Sequence, residues 1–125
     1  MNDKRPSKAS YLFISRTAPY GSNRAQLCLD AAFAAAVFEQ HVNYLFMDDG
    51  VYQLLANQDA EAIHSKTLGR ILETLDLYGI ENVLVLASSL EERQLRAEDL
   101  LLPVRLVGRP EAAALLEQCD CVVNL

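Results

Sequence analysis

The sequence predicts one α/β domain with a parallel five-stranded sheet flanked by helices, and three observations carry that expectation. Five short apolar runs alternate with helical patterns along 125 residues. The connections between them are short, and right-handed crossovers are expected. The run VLVLA at 83–87 is apolar on both faces, as a central strand of a parallel sheet is. A chain of this length buries roughly two-thirds of its unfolded surface, enough for one domain and no second.

The first strand is YLFIS at 11–15, rich in aromatic and β-branched side chains. Pro19 and Gly21 break the chain after it, and Ser22 or Asn23 can cap the helix that follows. That Ala-rich helix is apolar almost all round. At about 100° per residue, Cys28, Ala32 and Ala35 share one face, while Leu27, Phe33, Ala34 and Val37 share the other with Asp30 among them. One face packs on the sheet; the other needs a second cover, from this chain or a partner.

HVNYLFM at 41–47 alternates, then runs apolar into Asp48-Asp49-Gly50, a second strand ending in a turn. Residues 51–55 follow as a one- or two-turn apolar helix with nothing nearby in sequence to bury them. Val51, Tyr52, Leu54 and Leu55 are therefore expected at an interface, and 57–62 reads as a loop. Leu68, Ile71, Leu72, Leu75 and Tyr78 recur at spacings of three and four, giving an amphipathic helix over 67–78 that Gly79 stops. The third strand is 81–87, after which Ser88 or Ser89 caps a short helix through Arg93. The fourth strand starts after Pro103 and reaches Val107. Gly108 and Pro110 turn the chain into a helix over 111–118, and 121–125 is the last strand.

The first ten residues, MNDKRPSKAS, are polar and basic and lack the apolar stretch of a signal peptide, so they are expected to form a disordered tail before a domain at 11–125. No segment approaches the roughly 18 to 20 apolar residues that span a membrane. A net charge of −6 and a pI near 4.8 argue against direct contact with nucleic-acid phosphates. Three cysteines, Cys28, Cys119 and Cys121, are too few and too oddly spaced for a disulfide framework or a structural zinc site, which fits a reducing, cytosolic setting. A hydrophobic fraction of 51% and a mean hydropathy of +0.07 leave surface for association.

Strand carboxyl ends are where such sheets gather ligands. The loop after the first strand holds Arg16, Thr17, Gly21, Ser22 and Asn23 at a helix N-terminus, a place for a small anion, though it has neither GxGxxG nor GxxxxGK and its cap residues have a sufficient local reason. Asp48 and Asp49 are adjacent carboxylates. Neighbours at a strand end point opposite ways, so turn formation and capping account for them better than cation binding or acid/base work. Cys119 and Cys121 flank Asp120, and if both lie in the last strand they share a face about 6.5 to 7 Å apart. They read as small buried hydrophobes, with sulfur acceptance the weaker alternative. His41 and His64 have no i, i+4 partner, and no Ser/His/Asp or Cys/His set emerges, so neither metal nor cofactor is expected.

Longer words in the chain carry a resemblance. Thr17-Ala-Pro-Tyr-Gly21 after the first strand, Leu29-Asp30-Ala31 in the helix, and DGVYQLL at 49–55 resemble the TusC/DsrF family of DsrE-like sulfur-relay proteins. Leu77-Tyr-Gly-Ile-Glu81 and Ala87-Ser-Ser-Leu-Glu-Glu-Arg93 also look like that family, so the likeness covers nearly all of the chain after residue 10. It implies a flavodoxin-like fold and a heterohexamer with TusB/DsrH-like and TusD/DsrE-like subunits. Such a complex passes persulfide sulfur toward 2-thiouridine at the tRNA wobble position, or toward sulfur oxidation in the Dsr branch. The resemblance also implies that the sulfur-carrying cysteine follows the third strand of the TusD/DsrE-like partner. Here that place reads Val85-Leu-Ala-Ser-Ser-Leu90, without a thiol, and persulfide transfer needs a thiolate. A structural, non-catalytic subunit is expected, with Leu27, Phe33, Val37 and residues 51–55 facing partners and self-association when the chain is alone. A homo-oligomeric anion-binding module is the competing expectation.

Overall fold

The computed structural model describes residues 9–19, 21–55, 70–80 and 82–125. Residues 1–8 of the expected tail, the expected loop at 57–62, the first turn of the expected 67–78 helix and Glu81 lie outside the described residues.

Strand β1 (Ser10–Ser15) starts one residue earlier than expected and leads through the Pro19 and Gly21 loop into helix α1 (Arg24–Val37). Strand β2 (His41–Phe46) runs into a 3-10 helix over Asp48–Leu54, and strand β3 (Asn82–Leu86) runs directly into helix α2 (Ala87–Glu92). Strand β4 (Arg105–Val107), helix α3 (Arg109–Gln118) and strand β5 (Cys121–Asn124) complete the chain. All five strands are parallel, in the order β4-β3-β2-β1-β5. The parallel α/β architecture is as expected, while this order differs from the 2-1-3-4-5 of flavodoxin itself.

The period-2 alternation of each strand sorts the core into two faces. Phe13, Val42, Tyr44, Phe46, Val83 and Val85 face α1, the 3-10 helix and the 70–80 stretch. Leu12, Ile14, Leu45, Leu84, Leu86 and Val107 face Ala112 and Leu115 of α3. Four aromatic rings run across the α1 face: Tyr11 and Phe13 at 5.9 Å, Phe13 and Tyr44 at 6.4 Å, Tyr44 and Phe46 at 5.0 Å. The small side chains of Ala25, Cys28 and Ala32 let α1 lie close over this ladder, so bulk on the sheet is matched by its lack on the helix.

Local expectations are corrected in three places. Asn23 occupies the α1 cap position without a side-chain capping bond, and the Ser22 hydroxyl reaches only the Arg24 amide, at 3.4 Å. Ala87 begins α2 rather than ending β3, so Ser88 and Ser89 lie inside the helix and do not cap it. The described part of the third helical segment tightens into i→i+3 bonds from Thr74 onward, with the Thr74 hydroxyl bonded back to the Ile71 carbonyl at 2.6 Å. That tightening turns Tyr78 outward, where the helical spacing had placed it inward. Gly79 ends the segment in the left-handed region, φ 88°, as expected.

Candidate functional site

The carboxyl edge of the sheet is assembled from the ends of β1, β2 and β3. Ser15 is buried at the end of β1 and Gln53 is buried in the 3-10 helix. The Gln53 amide nitrogen donates to the Ser15 hydroxyl at 2.7 Å and to the Thr17 carbonyl at 2.8 Å. The 3-10 helix is thus tied to the loop that follows β1. Asp48, in the left-handed region at φ 52°, donates its amide to the Ser89 hydroxyl at 2.9 Å, which connects β2 to α2. The Ser88 hydroxyl, beside it, is buried without a protein partner.

Charges at this edge are matched in pairs that diverge. Arg16 reaches Asp48 at 2.8 Å, and Arg93 reaches Asp49 with two nitrogens at 3.0 and 3.1 Å while lying 6.0 Å over the Tyr52 ring. The adjacent carboxylates serve opposite neighbours, although both lie in the first turn of the 3-10 helix and not in the strand before it. Desolvation works against the Arg93 charge, but the Asp49 hydrogen bonds and the negative charge of Asp49, with smaller help from Tyr52 and Asp48, together outweigh it, so its affinity for the proton rises. Arg16, the cation expected to draw an anion to the 16–23 loop, has its charge taken up by Asp48.

No accessible thiol stands at this edge. Cys28 is sealed under α1, its sulfur 3.9 Å from the Ile14 carbonyl. Burial pushes its pKa up, against weaker opposing contacts from Tyr44 and Ser15. The Tyr44 hydroxyl approaches the same two groups without full hydrogen-bond geometry to either, and burial followed by the nearby Cys28 pushes its pKa well up. Cys119 is not in the last strand. It caps the C-terminal end of α3, half-buried on the α3 face, with its thiol raised by desolvation and touched by the Asn43 amide at 3.7 Å. Cys121 is exposed and pairs with Tyr11 on the other face, so the two thiols do not share a side. Tyr11 lies four residues before the end of β1, which sets Cys121 about 13 Å short of the carboxyl edge. Among the described residues no group of His, Cys, Asp and Glu could hold a metal ion.

The expected interface divides. Val51 and Leu54 are fully buried in the core of their own chain, a correction to their placement at a partner surface. Their cover comes from far along the sequence: the Leu101 amide bonds the Leu54 carbonyl at 2.8 Å, and Leu55 bridges Leu100. Tyr52 and Leu55 are half-buried. On α1, Leu27 is 46% exposed and Val37 71%, while Phe33 is half-buried with its ring edge-on to Tyr78 at 5.2 Å. That contact joins the outer ridge of α1 to exposed Leu77 and Tyr78, of which the helical spacing had placed Tyr78 on the inner face.

A family model described as DsrE/DsrF-like matches residues 9–125. The chain belongs to the DsrE/DsrF-like family. It is 38% identical over 110 residues to a TusC homolog of Vibrio vulnificus, covering 88% of this chain and 92% of that one. A TusC homolog of Pseudomonas aeruginosa is 36% identical over 116 residues, covering 93% and 98%. The intracellular sulfur oxidation protein DsrF of Allochromatium vinosum is 38% identical over 91 residues, covering 73% and 67%. The crystal structure of the YchN protein from E. coli shares the fold, with a TM-score of 0.77 at 21% identity over 94% of this chain and 99% of that one. Among the described residues no helix is long and apolar enough to cross a membrane.

Proposed function

We propose that this DsrE/DsrF-like chain is a non-catalytic subunit of a cytoplasmic sulfur-relay complex. Its partners are a TusB/DsrH-like and a TusD/DsrE-like chain, in a heterohexamer that passes persulfide sulfur toward tRNA 2-thiouridine synthesis. The observation that carries this reading is the edge after β3. Hydroxyls of Ser88 and Ser89 stand there, and the three thiols are sealed, half-buried on the α3 face, or toward the amino end of the sheet. A hydroxyl cannot take up and release sulfane sulfur as a thiolate does. The chain's part is then to shape and hold: Leu27, Phe33 and Val37 on the α1 ridge receive a partner, with Leu77 and Tyr78 extending that surface. The likeness to DsrF keeps sulfur oxidation as the alternative destination of the sulfur.

Co-expression with a TusB/DsrH-like and a TusD/DsrE-like chain tests the reading. A single complex containing all three chains in equal amounts, by size and mass, is expected. A chain that purifies without either of them contradicts it.

A further inference from the structure

We propose that the Asp49–Gly50 step is a modification site that the fold keeps closed, converting to isoaspartate when the 3-10 helix opens. The sequence holds a single Asp-Gly step, at 49–50, and no Asn-Gly. Glycine makes the step reactive, since no Cβ shields its nitrogen from the aspartate side chain before it. The chemistry needs no oxidant or reductant. The Gly50 nitrogen attacks Asp49 Cγ and a C–N bond forms, while one carboxyl oxygen leaves as water with the amide proton and the proton of the carboxylic acid. Water then adds to the cyclic imide. Breaking the new C–N bond restores aspartate; breaking the original one leaves the main chain running through Cβ and Cγ, with the former backbone carbonyl as a free carboxylate.

The fold holds this step closed. Both residues lie in the 3-10 helix Asp48–Leu54, where the Gly50 amide donates to the Met47 carbonyl at 2.9 Å. The imide ring instead needs that nitrogen in the plane of Asp49 Cα and Cβ, a rotation away from 3-10 backbone. Nε and Nη2 of Arg93 hold the Asp49 carboxylate to α2 at 3.1 and 3.0 Å. Gln53 ties the far end of the same helix to the Ser15 hydroxyl and the Thr17 carbonyl. Access is not what protects the site, because the Asp49 side chain is 59% exposed. The rate is set by how often the segment opens.

The product does not fit back. Isoaspartate lengthens the main chain by one carbon, about 1.5 Å, immediately ahead of Gly50. That glycine has no room to shift toward β1, since a Cβ there would already run into the Ser15 carbonyl oxygen and lie 3.2 Å from Arg16 Cα. The Met47 bond, the approach of Gly50 to Ser15 and the Gln53 ties cannot all re-form. The junction between the end of β1 and the 3-10 helix therefore stays loosened in a converted chain. This follows from the chain's own backbone and does not rest on the relay reading, so either can fail alone.

The test is ageing of the full chain in warm neutral buffer, with peptide mapping that separates isoaspartate from aspartate and methyl labelling by an isoaspartyl methyltransferase. In urea, isoaspartate is expected at position 49 ahead of every other aspartate. In native buffer its formation there is expected to be about tenfold slower or more. Arg93→Ala and Gln53→Leu, with unchanged circular dichroism, each raise the native rate about threefold or more. Arg93→Ala removes only a surface pair, so it decides the matter if Gln53→Leu does not fold. Leu27→Asp leaves the native rate as it is. Converted chains exchange their amide hydrogens faster over 48–55. Equal rates in urea and native buffer, no conversion in urea, indifference to Arg93→Ala, or native exchange in converted chains overturns the proposal.

Discussion

Gly50 approaches Ser15 so closely that a Cβ at position 50 would run into the Ser15 carbonyl oxygen and lie 2.8 Å from its carbon. The obstacle is backbone, which cannot swing aside. This approach holds the 3-10 helix against the end of β1, with the Met47 amide bonding the same Ser15 carbonyl at 3.2 Å. Gly50→Ala is therefore expected to destabilise the fold by about 3 kcal/mol. Gly108→Ala, where the nearest atom is Pro110 Cδ at an ordinary 3.6 Å, is expected to be much milder. Equilibrium urea unfolding of the two variants checks this; equal midpoints would mean that the contact is not tight.

Gln53 holds the same junction by hydrogen bonds. Gln53→Leu keeps the volume and leaves the Ser15 hydroxyl and the Thr17 carbonyl without their donor. A loss of about 1 to 3 kcal/mol is expected. A double-mutant cycle with Ser15→Ala should show coupling between the two sites. Strictly additive losses would place the two side chains out of contact.

Stability should fall in alkaline solution. Cys28 and Tyr44 both have raised pKa values in the folded chain, chiefly because burial penalises their charged forms. They hold their protons more tightly folded than unfolded. Their contribution is complete below the unfolded values, about 8.5 for cysteine and 10 for tyrosine, and is lost as pH rises above them. Each group adds a slope of at most about 1.4 kcal/mol per pH unit. Tyr44→Phe should flatten the decline above about pH 10 and leave the cysteine part. A midpoint that stays level from neutral pH into this range contradicts the burial of these two groups.

The α1 ridge should matter to assembly and little to folding. Leu27→Asp replaces a side chain that is already 46% exposed, so its effect on the isolated fold is expected to stay within about 0.5 kcal/mol. In the co-expressed complex the same change should release this chain from at least one partner. Pull-down beside a thermal melt separates the two effects; retained assembly with both partners moves the interface elsewhere.

What the sequence made legible is what local pattern decides. The strand run YLFIS, the stop at Gly79 and the two-sided character of α1 depend on neighbours within a turn or two, and each is found in place. Burial of Val51 and Leu54 was not legible, because their cover is Leu100 and Leu101, which no nearby pattern brings back to them. Ser89 reads locally as a helix cap, yet its hydroxyl is committed to the amide of Asp48, at the start of the 3-10 helix after β2. Cys119 and Cys121 look like strand neighbours two residues apart. A helix end comes between them and turns them to opposite faces. At the candidate site, the missing thiol after β3 was visible in the letters, whereas the pairing of Arg16 with Asp48 needed the fold that brings two strand ends together.

In the proposed role this chain serves the relay without carrying sulfur itself. The most direct measurement is sulfur throughput in the reconstituted three-chain complex with Cys119→Ser and Cys121→Ser combined, followed by intact mass of each chain after loading by a cysteine desulfurase. Unchanged throughput and no adduct on this chain are expected. Loss of transfer in the double variant, together with an addition of about 32 Da on either cysteine of the wild-type chain, would contradict it.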